Sequence, residues 1–280
     1  MSLGKADIRN HLRNLRISAE MNTPIHATRK SMHNKIGEPD LLSRAALFRA
    51  LARGFHYPTS HQPGAVLRAL NQQIEARRGT RPTPLSRALI AARAAWAGAS
   101  VRELEAEYAR LFLTGIACPL HETAYGDGRR MAGRTTEIAD ISGFYLAFGL
   151  QLSDRDADLP DHLCTELEFY SILLVKQAYA LSRRWVDRRR ITERAIRTFM
   201  DDHLGRWVKS FADNLIEQAP PVAYRALTRL LVVAVDEECR RLRIHPQLLA
   251  GRISGDEMQA EEFICPHEAG GFRTATDMHV

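Results

Sequence analysis

Apolar residues recur every three to four positions along most of the chain, which is the spacing of amphipathic helices. The first stripe consists of five apolar residues: Leu41, Ala45, Phe48, Ala52 and Phe55. Tyr57-Pro58 ends this helix, because proline has no backbone donor and restricts the residue before it. The same reasoning predicts a second helix from His61 to Arg77, and a third that starts after Pro82 and Pro84 and runs to Trp96-Ala97.

Ser100 and Glu103 form a capping-box pattern that predicts the start of another helix. Its apolar stripe consists of four residues: Leu104, Tyr108, Leu111 and Phe112. A loop is expected from Thr114 to about Gly133, followed by a helix that Thr135 or Thr136 would cap.

Three longer helices are expected in the second half. The first runs from Asp161 to about Arg184, the second from Thr192 to Leu215, and the third follows Pro220-Pro221. No run of residues shows the alternation typical of strands. The pattern therefore predicts an all-α fold, a single-domain bundle of about eight or more helices.

The two ends of the chain differ from its middle in charge. Residues 1–38 contain seven Lys/Arg and three Asp/Glu, whereas residues 244–280 contain two and six. We therefore expect a basic, flexible N-terminal arm at 1–38, an all-helical domain at 39–243, and an acidic, loosely ordered C-terminal tail at 244–280.

Composition argues against several classes of protein. The formal net charge is +6, but arginines are spread over many helices, which favours a solvated surface and no nucleic-acid partner. No uncharged apolar run reaches the roughly 18–20 residues needed to span a bilayer, so no stable membrane insertion is expected. The N-terminus has no secretory pattern, which indicates a cytoplasmic protein, and four cysteines do not suggest a disulfide framework.

Motifs for catalysis are weak. There is no glycine-rich phosphate loop and no nucleophile elbow, and His121-Glu122 lacks the second histidine of a zinc protease motif. Two Cys/His pairs could close a zinc site between them: Cys118 with His121, and Cys265 with His267. Neither pair has the usual zinc-finger spacing. His203 falls near an apolar stripe, which favours a satisfied core histidine.

Polar residues gather at the predicted helix start near Asp161. Asp161 follows a proline and suits an N-cap. His162 and Glu166 lie on one line at the margin of the buried stripe, so Glu166 should be partly desolvated, whereas Glu168 should face solvent. These residues could form a small anionic site. On the Ser100 helix, Tyr108 and Phe112 could line a second feature, an apolar groove. With the nearby carboxylates of Glu103, Glu105 and Glu107 at its rim, this groove would suit a peptide with a basic pair followed by apolar residues.

These segments resemble the TorD/DmsD/NarJ family of cytoplasmic all-helical chaperones for molybdenum oxidoreductases of the dimethyl sulfoxide reductase type. Three elements carry the resemblance: Glu107-Tyr-Ala-Arg-Leu-Phe112, the loop Cys118–Tyr125, and Leu159-Pro-Asp-His-Leu-Cys-Thr-Glu-Leu-Glu-Phe169. It covers about residues 40–240.

The resemblance implies a non-enzymatic chaperone that binds the twin-arginine signal peptide of its client's catalytic subunit, assists cofactor insertion and delays export. Its implied peptide-binding residues and their neighbours in the same motifs are Tyr108, Leu111, Phe112, Pro119, Tyr125, Asp161, His162 and Glu166. It implies no cofactor of the chaperone's own, and a monomer or helix-exchanged homodimer.

One alternative stays open from the residues alone. A metal-dependent helical enzyme could use four side chains: His121, Glu122, His162 and Glu166.

Overall fold

The computed structural model describes residues 37–113, 118–126, 134–150 and 159–251. The helices in these ranges are α1 (Glu38–Phe55), α2 (Gln62–Glu75), α3 (Pro84–Ala97), α4 (Val101–Tyr108), α5 (Arg134–Ala147), α6 (Leu163–Ser182), α7 (Val186–Phe199), α8 (Gly205–Glu217) and α9 (Val222–Leu242). π-Helical turns follow α4 (Ala109–Leu113) and join α7 to α8 (Met200–Leu204). The all-α prediction is confirmed.

Helix α6 lies at the centre of the bundle. Apolar and small side chains cover most of its circumference, and α1 and α7 pack along it. Helix α9 packs against α3 and α8, and it approaches α1 closely at Gly54. A Cβ at Gly54 would lie 2.6 Å from a methyl group of Leu227, so a larger residue here would force the Leu227 side chain to move.

Several helix ends follow the sequence. The capping box of Ser100 is present: the Ser100 hydroxyl accepts from the Glu103 amide, and the Glu103 carboxylate accepts from the Ser100 amide. Two expectations were wrong. Helix α5 begins at Arg134, so Thr135 and Thr136 lie inside it. The predicted helix over 192–215 is two helices joined by a π-helical turn.

Residues 244–251 pack against α8, although the sequence placed them in a loosely ordered tail. The Leu249 amide donates to the Arg206 carbonyl at 2.9 Å, and the Leu249 carbonyl accepts from the Ser210 hydroxyl at 2.6 Å. A Cβ at Gly205 would lie 2.7 Å from Pro246, so glycine allows this segment to cross the start of α8. The arm at 1–36 and the tail at 252–280 lie outside the described residues, so both stay predictions.

Within the described ranges, none of the helices combines the length and the apolar character needed to cross a bilayer.

Candidate functional site

A loop at residues 118–126 lies against the start of α6. The Glu122 amide donates to the Asp161 carbonyl at 2.9 Å, and the Leu163 amide donates to the Leu120 carbonyl at 2.7 Å. These two hydrogen bonds pair the loop with the helix start as a short antiparallel bridge between His121 and His162. Residues 40 positions apart therefore form one surface.

Asp161 fixes this loop by its side chain. Its carboxylate accepts hydrogen bonds from the Thr123 hydroxyl at 2.6 Å and the Thr123 amide at 3.3 Å, and it lies 3.3 Å from Nδ1 of His121. Asp161 is completely buried, which by itself would raise its pKa. The hydrogen bonds from His121 and Thr123 outweigh burial, so the pKa of Asp161 lies below its ordinary value.

The sequence suggested that Asp161 is the N-cap of α6, and this expectation was wrong. The cap is His162, whose Nδ1 accepts from the Cys164 amide at 3.2 Å. Because Nδ1 accepts here, it carries no proton in this arrangement, and the unfavourable meeting of an imidazolium with a helix N-terminus is avoided. The ring of His162 packs edge-to-face against His121, with centroids 5.1 Å apart.

Two buried glutamates meet beneath the loop. Glu122 and Glu166 are both 0% exposed, and they lie close enough for the charge of Glu122 to act on the Glu166 carboxyl. Burial is the main cause that raises the pKa of Glu166 well above its ordinary value, and the charge of Glu122 adds to it. One oxygen of each carboxyl has no hydrogen-bond partner among the described residues, so a proton shared between them would satisfy both. Glu166 also accepts from the Trp207 indole at 3.1 Å.

His203 connects these carboxylates to the surface. Its Nδ1 lies 3.2 Å from Glu122 and its Nε2 lies 3.2 Å from Asp140. Burial would lower the pKa of His203, but the hydrogen bonds and charges of both carboxylates raise it above its ordinary value. The Asp140 side chain is 64% exposed, whereas that of His203 is 3% exposed. The expectation of a satisfied core histidine agrees with this geometry.

Three more predicted site residues lie at the end of α4 and in the turn after it. Tyr108 and Phe112 belong to a neighbouring aromatic cluster, and Leu111 precedes Phe112 in the chain. The rings of Tyr108 and Phe112 pack edge-to-face with their centroids 4.9 Å apart. The Phe112 ring also stacks on Phe211, with centroids 6.5 Å apart. Leu111 is fully buried. The predicted set therefore divides in two: Tyr108, Leu111 and Phe112 at the end of α4 and in the turn after it, and Pro119, Tyr125, Asp161, His162 and Glu166 at the loop.

Helix α8 joins the two parts. The ring centroids of Phe211 and Trp207 are 5.9 Å apart, and those of Trp207 and Tyr125 are 5.4 Å apart. Tyr125 is buried, and its hydroxyl donates to the Pro119 carbonyl at 2.8 Å, which shapes the loop. Neither Trp207 nor Thr123 was singled out as a site residue by the sequence. No local signal marks Thr123, because its partner Asp161 is distant in sequence.

The geometry does not support a metal centre in the residues described. Across these ranges, no group of three or more His, Cys, Asp or Glu side chains is arranged to hold a metal ion. This includes the set that the alternative enzyme would use, in which His121 bonds Asp161 and Glu122 bonds His203. Cys118 is buried. Cys265 and His267 lie outside the described residues.

Comparison with known proteins identifies relatives. The family model described as "Nitrate reductase delta subunit" matches residues 71–213. The selenate reductase assembly chaperone protein of Thauera selenatis is 38% identical over 112 residues, which are 40% of this chain and 57% of that protein. The chlorate reductase assembly chaperone protein of Ideonella dechloratans is 32% identical over 144 residues, which are 51% of this chain and 72% of that protein.

A third relative has a similar description. The perchlorate reductase assembly chaperone protein of Dechloromonas aromatica (strain RCB) is 31% identical over 109 residues, 39% of this chain and 48% of that protein. The chain thus spans a little over half the length of the Thauera relative. The family match covers just over half of the 280 residues and includes the loop, the start of α6, His203 and Trp207. The resemblance to the NarJ and TorD proteins is confirmed, and the chain belongs to the nitrate reductase delta subunit family.

Proposed function

We propose that this protein is an assembly chaperone for the catalytic subunit of a molybdenum-containing reductase and has no catalytic activity of its own. The observation that carries this proposal is family membership together with relatives described as assembly chaperones of three reductases. As implied by the family resemblance, it would act in the cytoplasm before export of its client. A monomer or helix-exchanged dimer stays a prediction.

Loss of the protein tests this role. Cells that lack it should produce the client polypeptide but little active, molybdenum-loaded reductase, and the wild-type chain should restore activity. Molybdenum content per client polypeptide is the decisive measurement, because it separates failed assembly from failed expression. Normal molybdenum loading without the protein would contradict the proposal.

We further propose that the client's twin-arginine signal peptide binds across the loop and the aromatic cluster. Support comes from exposed apolar side chains at the aromatic cluster. Leu113 is 63% exposed and Tyr57 is 48% exposed, and the Tyr57 ring contacts Tyr108 at 5.3 Å. The apolar part of a signal peptide would bury these side chains.

The client arginines need a carboxylate that water can reach. Asp161 and Glu166 are fully buried and bonded internally, so they do not suit direct contact in this conformation. Asp140 is exposed and touches His203, which makes it the better partner for a guanidinium. Asp161 would then act as a positioning residue that holds the loop in place.

Titration with a twin-arginine peptide tests this recognition. Replacement of both peptide arginines by lysine should weaken binding at least about tenfold, because lysine cannot form the bidentate pair that arginine makes with a carboxylate. Affinity should also fall as salt rises, since an exposed carboxylate is screened. Equal affinity for both peptides would contradict arginine recognition.

Matched variants locate the binding surface. Asp140→Asn should lower the affinity for the peptide. Asp213→Asn, with the same 64% side-chain exposure on α8, should leave this affinity unchanged. Leu113→Ser should also lower the affinity for the peptide, whereas Ile191→Ser, at 62% exposure on α7, should leave it unchanged. Equal effects within either pair would place the peptide elsewhere.

A further inference from the structure

An apolar groove lies between α3, α8 and α9, apart from the loop at 118–126. Its volume is about 650 Å³. Most of its walls are small or branched apolar side chains: Ala88, Ala91, Ala212, Ile216, Val222, Ala226, Val232 and Val233. Alanines on facing helices leave the space open, and Ile216 and Val222 are 41% and 58% exposed at its edge. The groove can therefore bury apolar side chains of another segment.

Arginines line the rim of this groove. Arg225 and Arg229 lie one turn apart on α9, and Arg87 lies across from them on α3. In the part of the chain that the structure describes, none of the three forms an ion pair. The rim carboxylate of Asp213 bonds Lys209 at 2.8 Å. An apolar floor with a cationic rim favours an acidic segment with apolar anchors.

Such a segment occurs in the chain itself. Residues 256–264 read Asp-Glu-Met-Gln-Ala-Glu-Glu-Phe-Ile, with four carboxylates and no lysine or arginine. Each acidic pair is followed by an apolar residue, Met258 in one case and Phe263 in the other. Its composition is thus complementary to both the rim and the floor of the groove.

The chain leaves the described part of the molecule close to α8, which provides one wall of the groove. Leu249 is bonded to Arg206 and Ser210 on α8, and the same helix provides one wall of the groove at Ile216. Six helical residues from Ser210 to Ile216 span about 9 Å. Gly251 itself lies beside the loop, where the Gly126 amide donates to the carbonyls of Ala250 and Gly251 at 3.2 and 3.3 Å. Five extended residues from Gly251 to Asp256 span up to about 16 Å and set the length of the connection to the segment.

We propose that the groove between α3, α8 and α9 is a binding site for residues 256–264 of the same chain. Arg225 and Arg229 pair with the carboxylates, and Met258, Phe263 and Ile264 fill the apolar floor. The short connection keeps the segment at a high effective concentration, so individually weak contacts suffice for occupancy. This proposal does not depend on the signal-peptide site.

Chemical cross-linking in the full-length chain tests the proposal. Cys265 follows the segment directly, so Ile216→Cys places a second thiol in the groove next to it. In a Cys239→Ser background, a short bis-maleimide should join residues 216 and 265 within one chain. Ile191→Cys is the matched control, at 62% exposure on α7 away from the groove, and should give a yield at least about fivefold lower, since its thiol meets Cys265 only by chance.

Charge reversal separates specific docking from random encounter. Arg225→Glu with Arg229→Glu should lower the yield at least about fivefold, because two attractive pairs become repulsive. Adding Glu261→Arg and Glu262→Arg should restore it, which excludes unfolding as the cause. Unchanged yield after reversal, equal yield at residue 191, or a cross-link found only between two chains would each overturn the proposal.

Discussion

Two buried polar clusters in this bundle differ in how their charges are balanced. In one, Arg44 of α1 forms a bidentate pair with Glu238 of α9, and the Tyr170 hydroxyl donates to the same carboxylate at 2.7 Å. In the other, Glu122 and Glu166 bring like charges together beneath a loop. The first ties three helices with opposite charges, whereas the second depends on protonation.

This difference distinguishes a structural cluster from a candidate functional one. Every ionised group of the Arg44 cluster has a partner of opposite charge or a hydrogen-bond donor, so it has little to exchange with a ligand. The Glu122 cluster leaves two carboxyl oxygens without a partner among the described residues and reaches the surface through His203 and Asp140. A ligand cation at Asp140 could thus alter the charge balance inside.

The largest expected effect on stability comes from removing the ion pair between Arg44 and Glu238. Arg44→Ala should lower the free energy of unfolding by about 3–5 kcal/mol, because the buried Glu238 would lose its bidentate partner and keep only the more distant Arg241, at 3.9 Å. Chemical denaturation measures this loss. The double variant Arg44→Leu, Glu238→Leu should lose clearly less, since it leaves no unpaired charge. A double variant as unstable as the single one would show that packing, not charge, dominates here.

Asp161→Ala should have the next largest effect, about 2–3 kcal/mol, since it leaves the Thr123 donors buried without an acceptor. Hydrogen exchange should rise in residues 118–126 more than in α1, because the carboxylate holds the loop. Asp161→Asn keeps an acceptor for Thr123 and should cost less. Uniform exchange through the molecule would contradict a local role.

The pH dependence of Asp161 has a defined sign. Its folded pKa is lowered, so its ionised form stabilises the protein above the ordinary aspartate pKa, and this contribution is lost as pH falls through the folded value. The wild type should therefore lose stability in acid more steeply than Asp161→Asn. If the stability of the two proteins fell in parallel as pH was lowered, the lowered pKa of Asp161 would be contradicted.

Glu166→Gln tests the protonated carboxyl and should change stability by about 1 kcal/mol or less below the ordinary glutamate pKa, where Glu166 is protonated in the folded and the unfolded chain and glutamine resembles it. The folded pKa of Glu166 is raised, so its contribution is present below the ordinary glutamate pKa and lost as pH rises through the folded value. Stability of the variant should decline less on the alkaline side. Denaturation across a range of pH measures the two slopes, and identical slopes would indicate that Glu166 is ionised throughout.

Sequence reasoning recovered the helices better than the site. The apolar stripes and the Ser100 capping box depend on neighbours within a turn or two, so local spacing suffices for them. The contact of Glu122 with Glu166 joins residues far apart in sequence, and no periodicity reports it. The cap of α6 was misassigned for the same reason, because Thr123 on the distant loop holds the carboxylate of Asp161 and leaves His162 to cap the helix.

Glu168→Gln should have the smallest effect and is the matched control for Glu166→Gln on the same helix. Its side chain is 50% exposed and lies 3.5 Å from His56, which is 40% exposed, so the pair is screened by water. Removal of the charge should change the free energy of unfolding by less than about 0.5 kcal/mol. The spacing that placed Glu168 towards solvent and Glu166 at the buried margin thus separates an exposed carboxylate from a buried one two residues apart. If Glu168→Gln flattened the alkaline slope as much as Glu166→Gln, general surface charge, and not the buried carboxyl pair, would control the pH dependence.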